Sequence, residues 1–215
     1  MSTVSLTLDE IFELAKKTLL ANGCDDETAS ILSDLIRNAE RDGSVSHGLF
    51  RLPAYVTGLK GGKINGKGKP EVKKISPSVI KVEGNNCLAP VVLNKGLPEL
   101  AKAAKENGVA VLAINNSHHM AAMWPETEKL AEEGLVAFAC TSYKPAVAPA
   151  GSIKPLFGTN PISFARPRPD VAKQKKLGLF QLKVLLHQQV LQPAYKMYEQ
   201  KQLNLPQLIF LFQAT

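Results

Sequence analysis

The sequence predicts a protein of the α/β class, with N-terminal helices, a partial α/β layer and a C-terminal tail of different character. Three observations predict this organisation. Apolar residues recur at helical spacing through roughly the first 40 residues. From about residue 90, helical stretches alternate with short continuous apolar runs, which is the pattern of a sheet covered by helices. Near Asp170 the amino-acid usage changes abruptly.

Strong helix signals open the chain. The segment Thr7–Glu10 has the spacing of a capping box, in which a hydroxyl and a carboxylate bind free backbone N–H groups at a helix start. We expect this first helix to stop at Gly23. A second helix, capped by Asp25 or Asp26, should end near Gly43.

In the middle of the chain, segments with the helical spacing of apolar residues alternate with segments typical of strands. A third helix is expected from about Ser46, with Pro53 in its first turn. A long loop rich in proline and glycine runs from Pro145 to Pro161 and is of the kind usually retained for function. Between them the pattern predicts strands at 72–75, 79–82, 109–114 and 135–140, and helices at 93–107 and 126–133.

Bulk composition excludes several classes of protein. The chain has 215 residues and 45% hydrophobic residues, enough for a buried core. No apolar run approaches the roughly 20 residues of a membrane span, and the N-terminus lacks a secretory signal pattern, so a cytoplasmic protein with no membrane partner is expected. The three cysteines have no C-x-x-C spacing and predict neither a disulfide framework nor a metal site.

The tail, residues 171–215, differs from residues 1–170 in charge and in amino-acid composition. Residues 1–170 carry 20 basic and 18 acidic side chains, whereas residues 171–215 carry six lysines against one acid. Glutamine is absent before residue 171 and occurs nine times after it, while glycine falls from fourteen to one. The net charge of +7 therefore belongs mostly to the tail and does not indicate a nucleic-acid partner.

His47 and Arg51 form the first candidate site. Their spacing of four residues would place both on one face of a helix beginning near Ser46. An arginine can hold a carboxylate through two parallel N–H bonds, and a histidine of pKa about 6.5 can give or take a proton. This arrangement suits reduction of a 2-oxo or 2-imino acid, although solvated side chains on an exposed helix face would show the same spacing.

Two further segments carry polar groups at places where ligands bind. His118 and His119 follow an apolar strand, at the end of the strand where α/β sheets bind ligands. One histidine would face a site, or both would be structural. The turn Gly158–Pro161 offers a hydroxyl and an amide, and could equally be an ordinary Asn-Pro turn. No G-x-G-x-x-G follows a strand, so a Rossmann dinucleotide site has no motif to support it.

Three segments of the sequence resemble motifs of the same family, and their combination is more specific than any single motif. Ser46–Tyr55 resembles the S-H-G-x-x-R-L-x-x-Y segment of the malate/L-lactate dehydrogenase-like NAD(P)-dependent oxidoreductases, Asn116–His119 resembles their N-S-x-H segment, and Leu156–Pro161 resembles their L-x-G-T-N-P loop. The resemblance runs to about Asp170. It implies the family's non-Rossmann α/β fold, in agreement with the missing glycine fingerprint.

The resemblance also implies roles for these residues. His47 would be the proton donor or acceptor with Ser46 beside it, and His119 would sit at the reacting centre. Arg51 and Thr159 would bind a small carboxylate substrate. Ser142 and Asn160 would contact the cofactor, NADP or NAD, and no metal is implied.

The doubled histidine and the Met-Trp-Pro that follow resemble the subgroup that reduces Δ1-piperideine-2-carboxylate and Δ1-pyrroline-2-carboxylate. The resemblance therefore implies hydride transfer from NAD(P)H to C2 of a cyclic 2-imino acid or a 2-oxo acid. A malate-, lactate- or sulfolactate-type dehydrogenase is the alternative within the family. A catalytically inactive fragment with an interaction helix in its tail is the alternative from another class.

The sequence departs from the family after residue 170. The family continues with an F-D-x-A-x-S stretch and a later glycine-rich region that bind the dinucleotide, and neither is found here. Our hypothesis is a reading-frame shift near codon 170. The expected organisation is an N-terminal helical and substrate/dimerisation region at 1–85, a partial α/β cofactor-binding domain at 86–170, and a non-family tail at 171–215, helical or disordered. An intact relative would be a homodimer.

Overall fold

A computed structural model describes residues 4–118, 121–167, 180–183 and 207–213. The chain divides into two compact units. The first unit comprises the described residues up to Val72 with 82–96, 116–118 and 121–122, and the second comprises 73–81, 97–115 and the described residues from Met123 onward. Both units are built from discontinuous pieces of the chain. The ranges 1–85 and 86–170 stay predictions.

Helices and strands alternate through the middle of the chain, as the sequence predicts. The described residues form, in order, α1 (Leu8–Ala21), α2 (Asp26–Arg41), α3 (Leu52–Lys60), β1 (Glu71–Ser76), β2 (Val79–Glu83), α4 (Ala89–Asn107), β3 (Val109–Asn115), α5 (Trp124–Glu132), β4 (Leu135–Cys140), β5 (Pro161–Ala165), β6 (Phe180–Lys183) and β7 (Gln207–Gln213). No helix among them is both long and apolar enough to cross a membrane.

The first unit is built on the predicted helix pair α1 and α2. The capping box at α1 is present, since the Glu10 N–H donates to Thr7 Oγ1 at 3.2 Å and the Thr7 N–H donates to Glu10 Oε2 at 2.7 Å. Asp25 caps α2 by accepting from the Thr28 N–H at 2.9 Å. The two helices and α3 enclose a core whose most buried members are Ala15, Leu19, Ala29, Leu32, Ile36 and Tyr55.

Asp25 also fixes the loop that follows α3. Its Oδ2 accepts from Lys69 Nζ at 2.9 Å. Burial raises the pKa of Asp25, but the hydrogen bonds from the Thr28 N–H and the Lys69 ammonium outweigh it and lower the pKa to about 2. The carboxylate is therefore ionised throughout the physiological range and holds the cap and the loop together.

A seven-stranded sheet runs in the order β1-β2-β3-β7-β4-β5-β6. Strand β7 pairs antiparallel with both β3 and β4, so β3 and β4 are parallel to each other with one strand between them. Helix α5 connects β3 to β4 and contacts β4 and β5. A buried hydrogen bond between Thr127 Oγ1 and Ser163 Oγ, 2.7 Å long, joins this helix to β5.

The prediction that the tail is helical or disordered is wrong for its described parts, because both are strands. Strand β6 pairs with β5 and forms one edge of the sheet, and β7 takes a central place in the sheet, where Ile209 is fully buried. The physical reason is that β3 and β4 each present a row of backbone N–H and C=O groups that require partners. The apolar segment 208–212 has the composition that fits such a place.

A pair of isoleucine substitutions tests the central position of β7. Ile209 is 0% exposed and Ile153, in the loop before β5, is 96% exposed. We expect Ile209→Ala to lower the free energy of unfolding by about 2–5 kcal/mol, because a buried side chain is removed and a cavity is left. Ile153→Ala should change it by less than about 0.5 kcal/mol. Equal, small effects in urea unfolding would show that β7 does not lie inside the sheet.

Candidate functional site

The chain reverses direction at the end of α2, and this reversal carries it into the Ser-His-Gly segment. Gly43 has a φ of +71°, which favours glycine. The Gly43 N–H donates to the Glu40 carbonyl at 3.0 Å and the Ser44 N–H donates to the Ala39 carbonyl at 2.8 Å. This pair of bonds is the Schellman motif that ends a helix. These two bonds fix the backbone of Gly43 and Ser44 against the end of α2, and the following residues continue from there.

Two single 3-10 turns, Val45–His47 and Leu49–Arg51, lie where the sequence predicted one α-helix from about Ser46. The helix α3 begins only at Leu52, with Pro53 in its first turn as expected. The prediction was wrong because Gly48, between the turns, has a ψ of −137°, outside the helical range. The turns, and not helical i, i+4 spacing, therefore position His47 and Arg51.

The imidazole of His47 is oriented by hydroxyl groups. Ser46 Oγ lies 3.0 Å and Ser44 Oγ lies 3.3 Å from His47 Nδ1. A hydroxyl can donate to Nδ1 or accept from it, so both the neutral and the protonated ring can be held here. The sequence resemblance indicated Ser46 but not Ser44.

Arg51 has a buried polar atom without a partner. Its Nε lies inside the first unit, and no described residue accepts a hydrogen bond from it. No ion pair joins Arg51 to a carboxylate in the described ranges. Burial raises the pKa of Tyr55 to about 12 despite the opposing charge of Arg51, so this phenol stays neutral and does not compensate the guanidinium. The missing partner fits an anionic ligand.

The first histidine of the predicted pair is held by its backbone. The His118 N–H donates to the Cys87 carbonyl at 3.0 Å, and the His118 carbonyl accepts from the Ala89 N–H at 2.9 Å. Asn116 precedes it with a φ of +48° and donates from Nδ2 to Glu83 Oε2 at 3.0 Å. His118 thus has a fixed backbone in the first unit. His119, predicted at the reacting centre, lies outside the described residues.

The remaining predicted residues lie in the second unit, in the loop between β4 and β5. This loop is a closed hairpin, because the Val147 and Phe157 backbones exchange hydrogen bonds of 2.8 and 3.0 Å. A Cβ atom on Gly158 would overlap the carbonyl of Tyr143, so glycine is required for this close approach. The Tyr143 N–H donates to Asn160 Oδ1 at 2.9 Å.

These contacts determine what the hairpin offers to a ligand. The amide oxygen of Asn160 is used within the loop, which leaves the Nδ2 group for other bonds. The exposed Ser142 and the partly buried Thr159 flank the Tyr143–Gly158 contact, and neither hydroxyl has a partner among the described residues. The loop therefore presents two hydroxyls and an amide nitrogen. Elsewhere in the described ranges, no three His, Cys, Asp or Glu side chains are placed to hold a metal ion.

Comparison with known proteins agrees with these motifs. The family described as malate/L-lactate dehydrogenase matches residues 6–176. The chain belongs to this family of dehydrogenases and reductases. Its α/β fold, which the sequence predicted, is that of the solved family members, and the region matched ends close to the change in composition at Asp170.

Within the family, the chain is similar to reductases of cyclic imino acids. It is 40% identical to a Δ1-pyrroline-2-carboxylate reductase of Burkholderia ambifaria over 170 residues, which cover 79% of this chain and 50% of that protein. It is 39% identical to a Δ1-pyrroline-2-carboxylate/Δ1-piperideine-2-carboxylate reductase of Pseudomonas syringae pv. tomato over 77% of this chain and 48% of that one. The chain thus spans about half the length of the curated relatives it matches.

Solved structures show the same likeness. The crystal structure of Δ1-piperideine-2-carboxylate reductase from Pseudomonas syringae superposes with a TM-score of 0.77 at 36% identity, covering 84% of this chain and 53% of that one. The malate dehydrogenase of Pyrococcus horikoshii superposes with a TM-score of 0.76 at 30% identity, covering 84% of this chain and 50% of that one. The sulfolactate dehydrogenase of Methanocaldococcus jannaschii superposes with a TM-score of 0.75 at 28% identity, covering 92% of this chain and 55% of that one.

The family implies a nicotinamide cofactor, and the described residues fit only a small part of one. The hydroxyls of Ser142 and Thr159 and the amide nitrogen of Asn160 are suitable hydrogen-bonding groups. A pyrophosphate needs a cradle of backbone N–H groups or basic side chains. The basic side chains of the described hairpin are those of Lys144, which lies over the Tyr143 ring, and Lys154. Any further contacts to the dinucleotide would have to come from outside the described ranges.

Substitution of Arg51 distinguishes a binding residue from a structural one. Because its buried Nε is unpaired, we expect Arg51→Met to leave the free energy of unfolding unchanged within about 1 kcal/mol or to increase it. Arg37, which pairs with Asp34 and lies 5.2 Å from the ring centre of Phe12, is the matched control. Arg37→Met should cost about 0.5–1 kcal/mol. A loss of about 3 kcal/mol or more for Arg51→Met would mean that Arg51 has a structural partner.

Proposed function

We propose that this protein is an NAD(P)H-dependent reductase of cyclic 2-imino acids, of the type of Δ1-pyrroline-2-carboxylate and Δ1-piperideine-2-carboxylate. The observation that carries the proposal is the buried, unpaired Nε of Arg51, one 3-10 turn after a histidine whose Nδ1 is engaged by two serines. The identities of about 40% to reductases of these substrates support the choice of substrate.

The proposed chemistry assigns one task to each residue. Reduction of a cyclic imine breaks the C=N double bond by adding a hydride to C2 and leaves a protonated ring nitrogen, so one hydride and one proton are consumed. The nicotinamide supplies the hydride when it is bound. The Arg51 guanidinium holds the substrate carboxylate through two N–H bonds and thereby orients C2.

His47 supplies the proton. Its imidazolium would protonate the ring nitrogen of the imine, which makes C2 more electrophilic, and would leave His47 neutral. If the proton leaves from Nε2, Nδ1 stays protonated, and the hydroxyls of Ser44 and Ser46 lie where they can accept from Nδ1 in both states. In this scheme the two serines keep the ring in one orientation while its charge changes.

The remaining assignments follow the family resemblance and are part of the proposal. Thr159 would contact the substrate, His119 would lie at the reacting centre, and Ser142 and Asn160 would contact the cofactor. For Asn160 the contact would use Nδ2, since Oδ1 accepts from the Tyr143 N–H. A homodimer in the cytoplasm also stays a prediction from the resemblance.

Two other functions are supported by particular observations. The likeness to solved malate and sulfolactate dehydrogenases favours a 2-hydroxy acid dehydrogenase, in which the same arginine and histidine would act on a ketone. The described residues offer only a few hydrogen-bonding groups for a dinucleotide, which favours a catalytically inactive protein that retains the carboxylate site.

The oxidation of NADPH and NADH, followed by absorbance with the full chain, tests these proposals. We expect a higher rate with Δ1-pyrroline-2-carboxylate or Δ1-piperideine-2-carboxylate than with pyruvate or oxaloacetate, and a loss of at least about 100-fold in His47→Gln, as is typical for a general acid. A preference for pyruvate or oxaloacetate would support the 2-hydroxy acid dehydrogenase. Absence of oxidation with every substrate and both cofactors would contradict reductase activity.

A further inference from the structure

The side chain of Glu40 lies at the corner between the two 3-10 turns of the candidate site. Its Oε1 accepts a hydrogen bond of 2.7 Å from the Leu49 N–H. The same carboxylate lies against Gly48, where a Cβ atom would overlap Oε1, Cδ and Cγ of Glu40. One side chain of α2 therefore contacts both residues that join the turn of His47 to the turn of Arg51.

The place of Glu40 in α2 is unfavourable for a carboxylate. It lies one residue before the end of the helix, where the C-terminal carbonyls make the local potential negative and basic residues are preferred. A residue type that is unfavourable at its position in a helix often has a role other than stabilising that helix. For Glu40, this role is the hydrogen bond to Leu49 and the contact with Gly48.

We propose that Glu40 is a positioning residue that fixes His47 relative to Arg51. Neither 3-10 turn, Val45–His47 or Leu49–Arg51, is capped by the side chain of its own N-cap residue. Glu40 joins them to the end of α2, the same helix end from which the chain enters the segment through Gly43. Glu40 does not touch the substrate in this scheme. The role rests on the proposed function, because it concerns the proton donor and the carboxylate ligand assigned there.

The proposal predicts coupled losses when the carboxylate is removed. In Glu40→Ala, we expect hydrogen exchange of the Leu49 amide to accelerate at least tenfold, because its acceptor is gone. The ring nitrogens of His47 should change chemical shift in the NMR spectrum of the full chain. The dissociation constant for L-proline, the product of Δ1-pyrroline-2-carboxylate reduction, should rise at least tenfold. Glu40→Gln keeps an acceptor oxygen of similar size and should largely restore all three.

Glu10 provides the matched control, because its carboxylate also accepts a backbone N–H, from Thr7, but at the start of α1. Glu10→Ala should leave the Leu49 exchange rate, the His47 signals and L-proline binding unchanged. The proposal is overturned if Glu40→Ala leaves Leu49 exchange or the His47 signals as in the parent chain, or if Glu10→Ala alters them equally. If the parent chain does not bind L-proline at all, the proposed function fails, while the two NMR measurements still decide the role of Glu40.

Discussion

The positive φ of Gly43 is the constraint on which the geometry of the candidate site depends. It ends α2 and sends the chain into two short turns rather than into a continuing helix. These turns place one histidine between serine hydroxyls and bury one arginine nitrogen without a partner. An unpaired buried donor lowers stability unless something else binds it. A ligand that accepts from this nitrogen, as proposed above, would remove that cost.

Local signals in the sequence predicted much of the fold. The capping box of Thr7 and the cap of Asp25 are present, and the predicted strand at 135–140 has the bounds of β4. Each of these features is encoded within a few neighbouring residues. The helix expected from Ser46 failed because the contact of Glu40 with Gly48 joins residues in different elements. An acid in the last turn of a helix was the available signal for that contact.

The strand β7 was missed for a similar reason. Its composition favours a strand, but its place in the sheet is decided by β3 and β4, which lie some 70 to 100 residues earlier in the chain. Ser44 was also missed, because only the reversal at Gly43 brings its hydroxyl to His47. The roles predicted for His119, Ser142 and Thr159 stay predictions.

The sheet includes residues that lie beyond the region matched by the family. The matched region ends at residue 176, yet the centre of the sheet is occupied by residues 207–213. The sulfolactate dehydrogenase structure covers 92% of the chain, more than the family match does. A strand from outside the matched region thus pairs with two strands inside it. The sheet of the described residues therefore has no open slot between β3 and β4.

The central claim is that the residues around Arg51 form a site for a small carboxylate. Isothermal titration calorimetry of the full chain with L-proline, and with pyrrolidine as the same ring without a carboxylate, tests it most directly. The account predicts saturable binding of L-proline, no binding of pyrrolidine, and loss of L-proline binding in Arg51→Met. Equal binding of L-proline by the parent chain and by Arg51→Met, or no binding by either, would contradict it.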